Sequence, residues 1–293
     1  MATLREIRKR IRSVRNIAKV TQAMETVAAS KMRRAQQMTL ASRPYAGLSR
    51  EVLANLVAHM SPDERRQHPL LRARPPRTVM VVLISANRGL CGGYNQNVVQ
   101  AAMDLIRKQT VPVQVVTVGH KGRDYLRRHG GSLDARIVGD FDLPEHPSAA
   151  EARPIARLAT IDVRRGAVDR VWLVYTRFIS MLRQDPTVQQ LLPVEAGGSE
   201  AVVPQVSYLF EPRAPRVLRL MLRRYVEMQV YQALLEAVAS EQSARMMAMR
   251  AAAENAHSLI NDLTLTYNKA RQEAITEELI DIVSGAAALN RNT

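Results

Sequence analysis

Sixty-nine consecutive residues, Arg216 to Ser284, contain neither proline nor glycine. The two residues that most readily break a helix are missing there, so the whole segment can be helical. At 1.5 Å per residue one such helix would be about 100 Å long, longer than the interior of a domain of this size. A helix of that length has to run beyond a globular core. The other end of the chain repeats the feature, since no proline or glycine precedes Pro44. Between Pro44 and Pro215 both recur at short intervals. Three zones follow: a helical N-terminus, a mixed middle and a helical C-terminus.

In the first zone Leu4, Ile7, Ile11, Val14, Ile17, Val20, Met24, Val27 and Ala28 step by threes and fours. The spacing predicts one apolar stripe on a helix of 40 or more residues, with Pro44 kinking or interrupting it and helix resuming over 51–60. In the third zone Ala239, Gln242, Met246, Met249, Ala253, Ala256, Ile260, Leu263, Tyr267, Ala270 and Ala274 alternate three and four, a coiled-coil period of 3.5. Ala, Met and Gln largely replace Leu in that seam, so the pair is thin. Glu241, Arg245, Glu254, Asp262, Lys269 and Glu273 are expected on its flanks. Aromatic residues make up only 4% of the chain. That is poor stock for one thick core and sufficient for a narrow seam.

The middle zone reads as α/β. Strands are predicted at Thr78–Ala86, Val113–Val118 and Arg170–Phe178, with a weaker edge strand at Ala201–Phe210 because of Pro204. Helical patterns at 95–109, 121–129 and 149–164 lie between them and imply a small parallel sheet covered on both faces. Pro75-Pro76 and Pro212 to Pro215 mark its limits. The domains expected are an N-terminal coiled-coil helix over 1–60, a Rossmann-like α/β domain over 76–211 and a C-terminal coiled-coil helix over 213–289.

Catalytic chemistry finds little support. The loop Asn87 to Tyr94 follows a strand and precedes a helix, where nucleotide-binding folds keep a phosphate loop. Its glycines fall at 89, 92 and 93, so G-x-G-x-x-G is absent, and Gly119-His-Lys-Gly122 lacks the P-loop spacing and hydroxyl. Cys91 is the single cysteine, which excludes an internal disulfide and a cysteine metal cluster. The six histidines include no i, i+4 pair, so a zinc site is not expected. No catalytic, cofactor-binding or metal-binding residue is predicted, and the chain is not expected to be an enzyme by itself.

The longest apolar run, Val79 to Ile84, is far short of the roughly 20 residues that span a bilayer. The charged N-terminus carries no apolar stretch of a secretory signal, so an intracellular protein outside the membrane core is expected. The net charge of +15 is uneven. Residues 1–37 hold ten basic groups against Glu6 and Glu25, a net of +8, whereas 213–293 hold ten basic and nine acidic, a net of +1. A basic helix suits nucleic acid, an anionic membrane surface or an acidic protein. Met, Ala and Val at helical spacing among the charges favour a protein partner. A basic coiled-coil protein that binds nucleic acid is the alternative, and an α/β nucleotide enzyme with a helical arm is a second. Glu277, Glu278 and Asp281 form an acidic cluster suited to a basic partner or to solvent.

Several motifs, in order along essentially the whole chain, resemble one family. Ile275-Thr-Glu-Glu-Leu-Ile-Asp-Ile-Val-Ser-Gly-Ala286 is similar to the C-terminal hallmark of the F-type ATP synthase gamma subunit. Lys19-Val-Thr-Gln-Ala-Met24 with Ala28-Ala-Ser-Lys31, Arg88-Gly-Leu-Cys-Gly-Gly93, Ser240 to Met249 and Tyr267-Asn-Lys-Ala-Arg-Gln272 resemble further segments of it. The resemblance implies a rotor shaft: an antiparallel coiled coil inside a ring of three alpha and three beta subunits, above a Rossmann-like foot. The foot would sit beside the epsilon subunit and the membrane ring of c subunits, peripheral to the cytoplasmic face of a bacterial plasma membrane. One copy per complex would couple proton flow to ATP synthesis or hydrolysis at beta. By the same resemblance Met24, Arg271, Gln272, Thr276 and Glu278 face the beta subunits, and Tyr208 and Glu211 belong to the foot near epsilon and the c ring. Asn87 stands where the family usually has Asp, Glu25-Thr26 replaces a basic-Met pair, and Glu273 takes the place of a small residue.

Overall fold

The computed structural model describes residues 3–58, 60, 68–130, 134–195 and 214–290. Two compact units are formed, one by Ala28–Arg245 and the other by Met1–Val27 with Met246–Thr293. Helices α1 (Leu4–Ala58) and α5 (Ala214–Asn290) each contribute to both.

The larger unit is built on strands β1 (Val79–Ile84), β2 (Val113–Val118), β3 (Ala135–Phe141), β4 (Arg170–Phe178) and β5 (Gln184–Leu192). Their order in the sheet is β3-β2-β1-β4-β5; the first four are parallel and β5 runs antiparallel to β4. Crossovers α2 (Tyr94–Arg107), α3 (His120–His129) and α4 (Ala149–Arg165) join the parallel strands. The period-2 alternation of strands sorts the side chains to two faces. Val79, Val81, Leu83, Val113, Val115 and Val174 pack with α2 and α3. Met80, Val82, Ile84, Val116, Val118, Leu173 and Tyr175 pack with α4 and with parts of α1 and α5. On α4 the buried Ala152, Ile155, Ala156, Ala159 and Val163 recur at helical spacing. Ser148 and Glu151 close its N-terminus with a capping box, and Gly166 ends it in the left-handed region at φ 75°.

Three sequence expectations are corrected here. First, β3 and β5 were not predicted. In β3 half-buried and exposed residues alternate around Gly139, and β5 carries Pro186, which an edge strand tolerates because its N–H side can face solvent. The sheet is therefore mixed rather than wholly parallel. The strand expected at Ala201–Phe210 lies outside the described residues. Second, α1 runs unbroken through Pro44. Proline in a helix interior costs about 3 kcal/mol. Here Leu53, Leu56 and Val57 beyond it are buried in the core, which offsets that cost.

The third correction concerns the seams. In the smaller unit the two helices pair antiparallel, and Arg8 near the start of α1 donates to the Tyr267 hydroxyl on α5. The Arg8 guanidinium lies 5.4 Å from that ring's centroid, a cation–π contact. Met249, Ala253 and Ala256 are buried, and Ile260, Leu263, Tyr267 and Ala270 are half-buried, as the heptads require. Ala274 is exposed, so the seam ends one step earlier than its pattern. Ala239 and Gln242 are buried within the α/β unit rather than in the coil. On α1, Ala18 and Thr21 take the seam, and Ile17, Val20 and Val27 turn outward at 53%, 59% and 53% exposure. A strict 3.5 period from Ile7, Ile11 and Val14 leads to 18 and 21, not 17 and 20. Thr21 is admitted because its hydroxyl bonds the Ile17 and Ala18 carbonyls.

Candidate functional site

In open α/β sheets, ligands bind outside the carboxyl ends of the strands where the strand order reverses. In this sheet that point lies between β1 and β4. It is filled by α5. Ser240 Oγ donates to the Thr176 carbonyl at 3.1 Å, and Ser243 Oγ to the Met181 carbonyl, in the turn after β4, at 2.8 Å. Arg245 reaches the Gly89 carbonyl, in the loop after β1, at 3.3 Å, and the Tyr94 hydroxyl donates to the Ala237 carbonyl at 3.2 Å. Ala244 packs against the cluster of Ala86, Cys91 and Tyr94. The glycine-bearing loop after β1, placed where other folds cradle a phosphate, here holds a helix together with the turn after β4.

The ionisable groups around this point are buried or nearly so. Cys91 is 1% exposed, and burial pushes its thiol above the ordinary value although Arg245 draws it down. A neutral, buried thiol is a poor nucleophile. Tyr94 is pushed well up by burial. Glu241 and Arg245, expected on the coil's flanks, instead form a nearly buried ion pair at 2.7 Å inside the α/β unit. Burial raises the Glu241 carboxyl above its usual range, and Arg245 opposes that rise. Asn87 accepts from the Leu143 N–H at 3.2 Å and donates to its carbonyl at 2.8 Å, tying the β1 loop to the segment after β3. Both halves of the amide are in use, which an aspartate could not match. Among the described residues no group of three His, Cys, Asp or Glu could hold a metal, and no helix is long and apolar enough to cross a membrane.

The second candidate surface is the stretch 271–283 of α5. Every residue from Arg271 to Val283 is exposed. At 100° per residue, Arg271, Ile275, Glu278 and Ile282 form one stripe and Gln272, Thr276, Leu279 and Val283 the next. Each stripe mixes hydrogen-bonding groups with apolar ones, and Leu279, Ile280, Ile282 and Val283 are 57–66% exposed. The Thr276 hydroxyl bonds the Gln272 carbonyl at 2.9 Å. Among the described residues nothing bonds or pairs with the side chains of Arg271, Gln272 or Glu278. The acidic neighbours Glu273, Glu277 and Glu278 thus leave the Arg271 fork unengaged.

Met24 is half-buried on α1. It lies 16 residues, about 24 Å of helix, beyond Arg8, which meets Tyr267. Met24 and the cluster at 271–278 therefore sit at different heights of the helix pair rather than at one site. Tyr208 and Glu211 lie outside the described residues. Sequence reasoning missed the outward residues Ile17, Val20 and Val27, which the stepping by threes and fours had assigned to the seam. The signal that finds them is a strict heptad count.

A family model described as ATP synthase matches residues 3–289. The chain is 47% identical to the ATP synthase gamma chain of Dehalococcoides mccartyi strain CBDB1, over 99% of this chain and all of that one. It is 46% identical to that of Herpetosiphon aurantiacus, with the same coverage. The chain belongs to the ATP synthase gamma-chain family. Its fold is shared by a chain in the cryo-EM structure of the Euglena gracilis mitochondrial ATP synthase, OSCP/F1/c-ring, rotational state 3. That match has a TM-score of 0.69 and 19% identity over 98% of this chain and 94% of the other. A chain of the Tetrahymena thermophila mitochondrial ATP synthase central stalk/c-ring matches at TM-score 0.60 and 24% identity, over 80% and 99%. A whole-chain match of this kind leaves no support for a nucleic-acid-binding protein.

Proposed function

We propose that the chain is the central rotor shaft of an ATP synthase, coupling proton flow through a membrane c ring to ATP synthesis or hydrolysis at beta subunits. Three alpha and three beta subunits surround the helix pair, the α/β unit meets the epsilon subunit and the c ring, and Tyr208 and Glu211 are the residues assigned to those partners. The chain is not itself catalytic. It sits peripherally at the cytoplasmic face of the membrane. The observation that carries this reading is the wholly exposed stretch 271–283 of α5, polar and apolar at once, on a chain nearly half identical to gamma chains throughout. Exposed apolar surface of that extent marks a protein interface.

A shaft drives chemistry only if its sides differ, so that each beta subunit is held in a different state by a different face. The stripes through Arg271 and Gln272 point about 100° apart and supply such a difference. Arg271 offers a planar fork for a carboxylate, Gln272 and Thr276 neutral donors and acceptors, and Glu278 an acceptor for a basic group. Met24 supplies a slim side chain at a second height. One exposed ion pair contributes about 0–1 kcal/mol, whereas a proton descending 100 mV releases about 2.3 kcal/mol. Torque must therefore be spread over many contacts, apolar ones included. The test is reconstitution with alpha and beta subunits. The isolated chain should have no ATPase activity, and hydrolysis coupled to proton pumping in vesicles should require it. Equal coupled activity without the chain would refute the reading.

A further inference from the structure

We propose that the crevice at the carboxyl ends of β1 and β4 is a socket that fixes α5 against turning about its own axis. In this reading Ser240, Ser243 and Arg245 are positioning residues for coupling. The inference rests on the rotor reading and deepens it. A helix packed in an apolar groove by small side chains can roll, since dispersion contacts are non-directional and individually weak. Residues 237–245 offer mainly small side chains to the sheet: Ala237, Ala239 and Ser240 are 0% exposed. What resists roll there is the set of directional hydrogen bonds.

Their placement suits that task. Ser243 and Arg245, two residues apart, point about 200° apart, with Ser240 and Ala244 between them. Ser243 binds the turn after β4 and Arg245 the loop after β1, so the helix is held from opposite sides of the switch point. Gln184 adds a donor to Ser243 Oγ at 3.3 Å while also binding the Ser180 and Met181 carbonyls, which stiffens the β4 turn. Glu241 braces the Arg245 guanidinium from within the helix at 2.7 Å. On the β1 side Leu90 at φ +62° and Gly92 at φ +56° fold the loop back, and Asn95 Oδ1 accepts from the Ala86 N–H at 3.0 Å. Torque on α5 thus reaches the sheet through two braced loops rather than through the helix ends. The crevice that could hold a small ligand holds the drive helix.

The test compares ATP hydrolysis with ATP-driven acidification in vesicles carrying the assembled complex. Ser240→Ala with Ser243→Ala removes the three hydrogen bonds of these hydroxyls without leaving a buried charge unpaired. Hydrolysis should stay within about twofold of the parent while acidification per ATP falls about fivefold, the ratio that one hydrogen bond's worth of about 1 kcal/mol represents. Arg245→Lys keeps a cation for Glu241 but loses the fork that reaches Gly89, and should shift the ratio the same way. It also decides the matter if the double variant fails to assemble. Acidification and hydrolysis falling together in both variants, in proportion to complex formed, would reduce the bonds to a structural role and overturn the proposal. A parental ratio in both would overturn it too. Failure of the rotor reading would show separately, as parental coupling in complexes that lack this chain.

Discussion

Leu173 in β4 and Leu265 in α5 are the same side chain in opposite circumstances, 0% and 70% exposed. The α/β unit closes on itself: two apolar layers sandwich the sheet, and its polar groups reach backbone partners across loops, as Asn87, Ser240 and Ser243 do. The helix pair keeps only a thin seam of mostly small residues, and its large apolar groups Ile17, Val20, Leu265 and Ile275 face outward. In the first region side chains determine the fold. In the second they are left for something else to bind. Stability and function are thereby separated along one chain, and mutations should separate the same way.

The largest effect is expected at Gly119, with φ +91° and a position where a Cβ would lie 2.1 Å from the Ser85 carbonyl oxygen. Gly119→Ala should destabilise the α/β unit by about 3 kcal/mol or more, through backbone strain and overpacking together. The single tryptophan, Trp172 in β4, makes its fluorescence in denaturant titrations a local probe of that unit. Next, Leu173→Ala should cost about 2–5 kcal/mol by the same probe. Ile260→Ala, half-buried in the seam, should cost less, about 1 kcal/mol read by helicity, because part of its side chain already meets water. Equal costs would abolish the contrast. Asn87→Asp comes third, at about 1–2 kcal/mol, since a carboxylate cannot donate to the Leu143 carbonyl. Smallest of all, Arg271→Ala with Gln272→Ala should change the free chain's stability and helicity by less than about 0.5 kcal/mol. The same pair should lower ATP hydrolysis or assembly in the complex. Parental values of both would remove these residues from the coupling surface.

The sequence told the two regions apart because helix breakers are absent from one and frequent in the other. Strands β1, β2 and β4 were legible as continuous apolar runs of a sheet buried on both faces. β3 and β5 were not, because edge strands mix polar residues and tolerate Pro186. Pro44 misled because tertiary burial of the next turns outweighs a local penalty. Of the candidate site, the exposed residues near the end of α5 were reachable only through motif resemblance, since no local pattern marks Arg271 or Gln272 as special. The filling of the switch point by α5 could not be read from spacing at all. It depends on Ser240 and Ser243 meeting carbonyls more than sixty residues away. The swap of Ile17 and Val20 for Ala18 and Thr21 shows the limit of stepping by threes and fours: only a strict heptad count separates the seam from the outer face.

Rotation itself is the most direct test. Leu182, 81% exposed on the turn after β4, can carry a Leu182→Cys label, while native Cys91 is too buried to react. With alpha and beta subunits fixed to a surface and a bead on that cysteine, added ATP should turn the bead continuously in one direction in discrete steps. Steady ATP hydrolysis by complexes whose bead stays still, or only fluctuates about one angle, would contradict the rotor account.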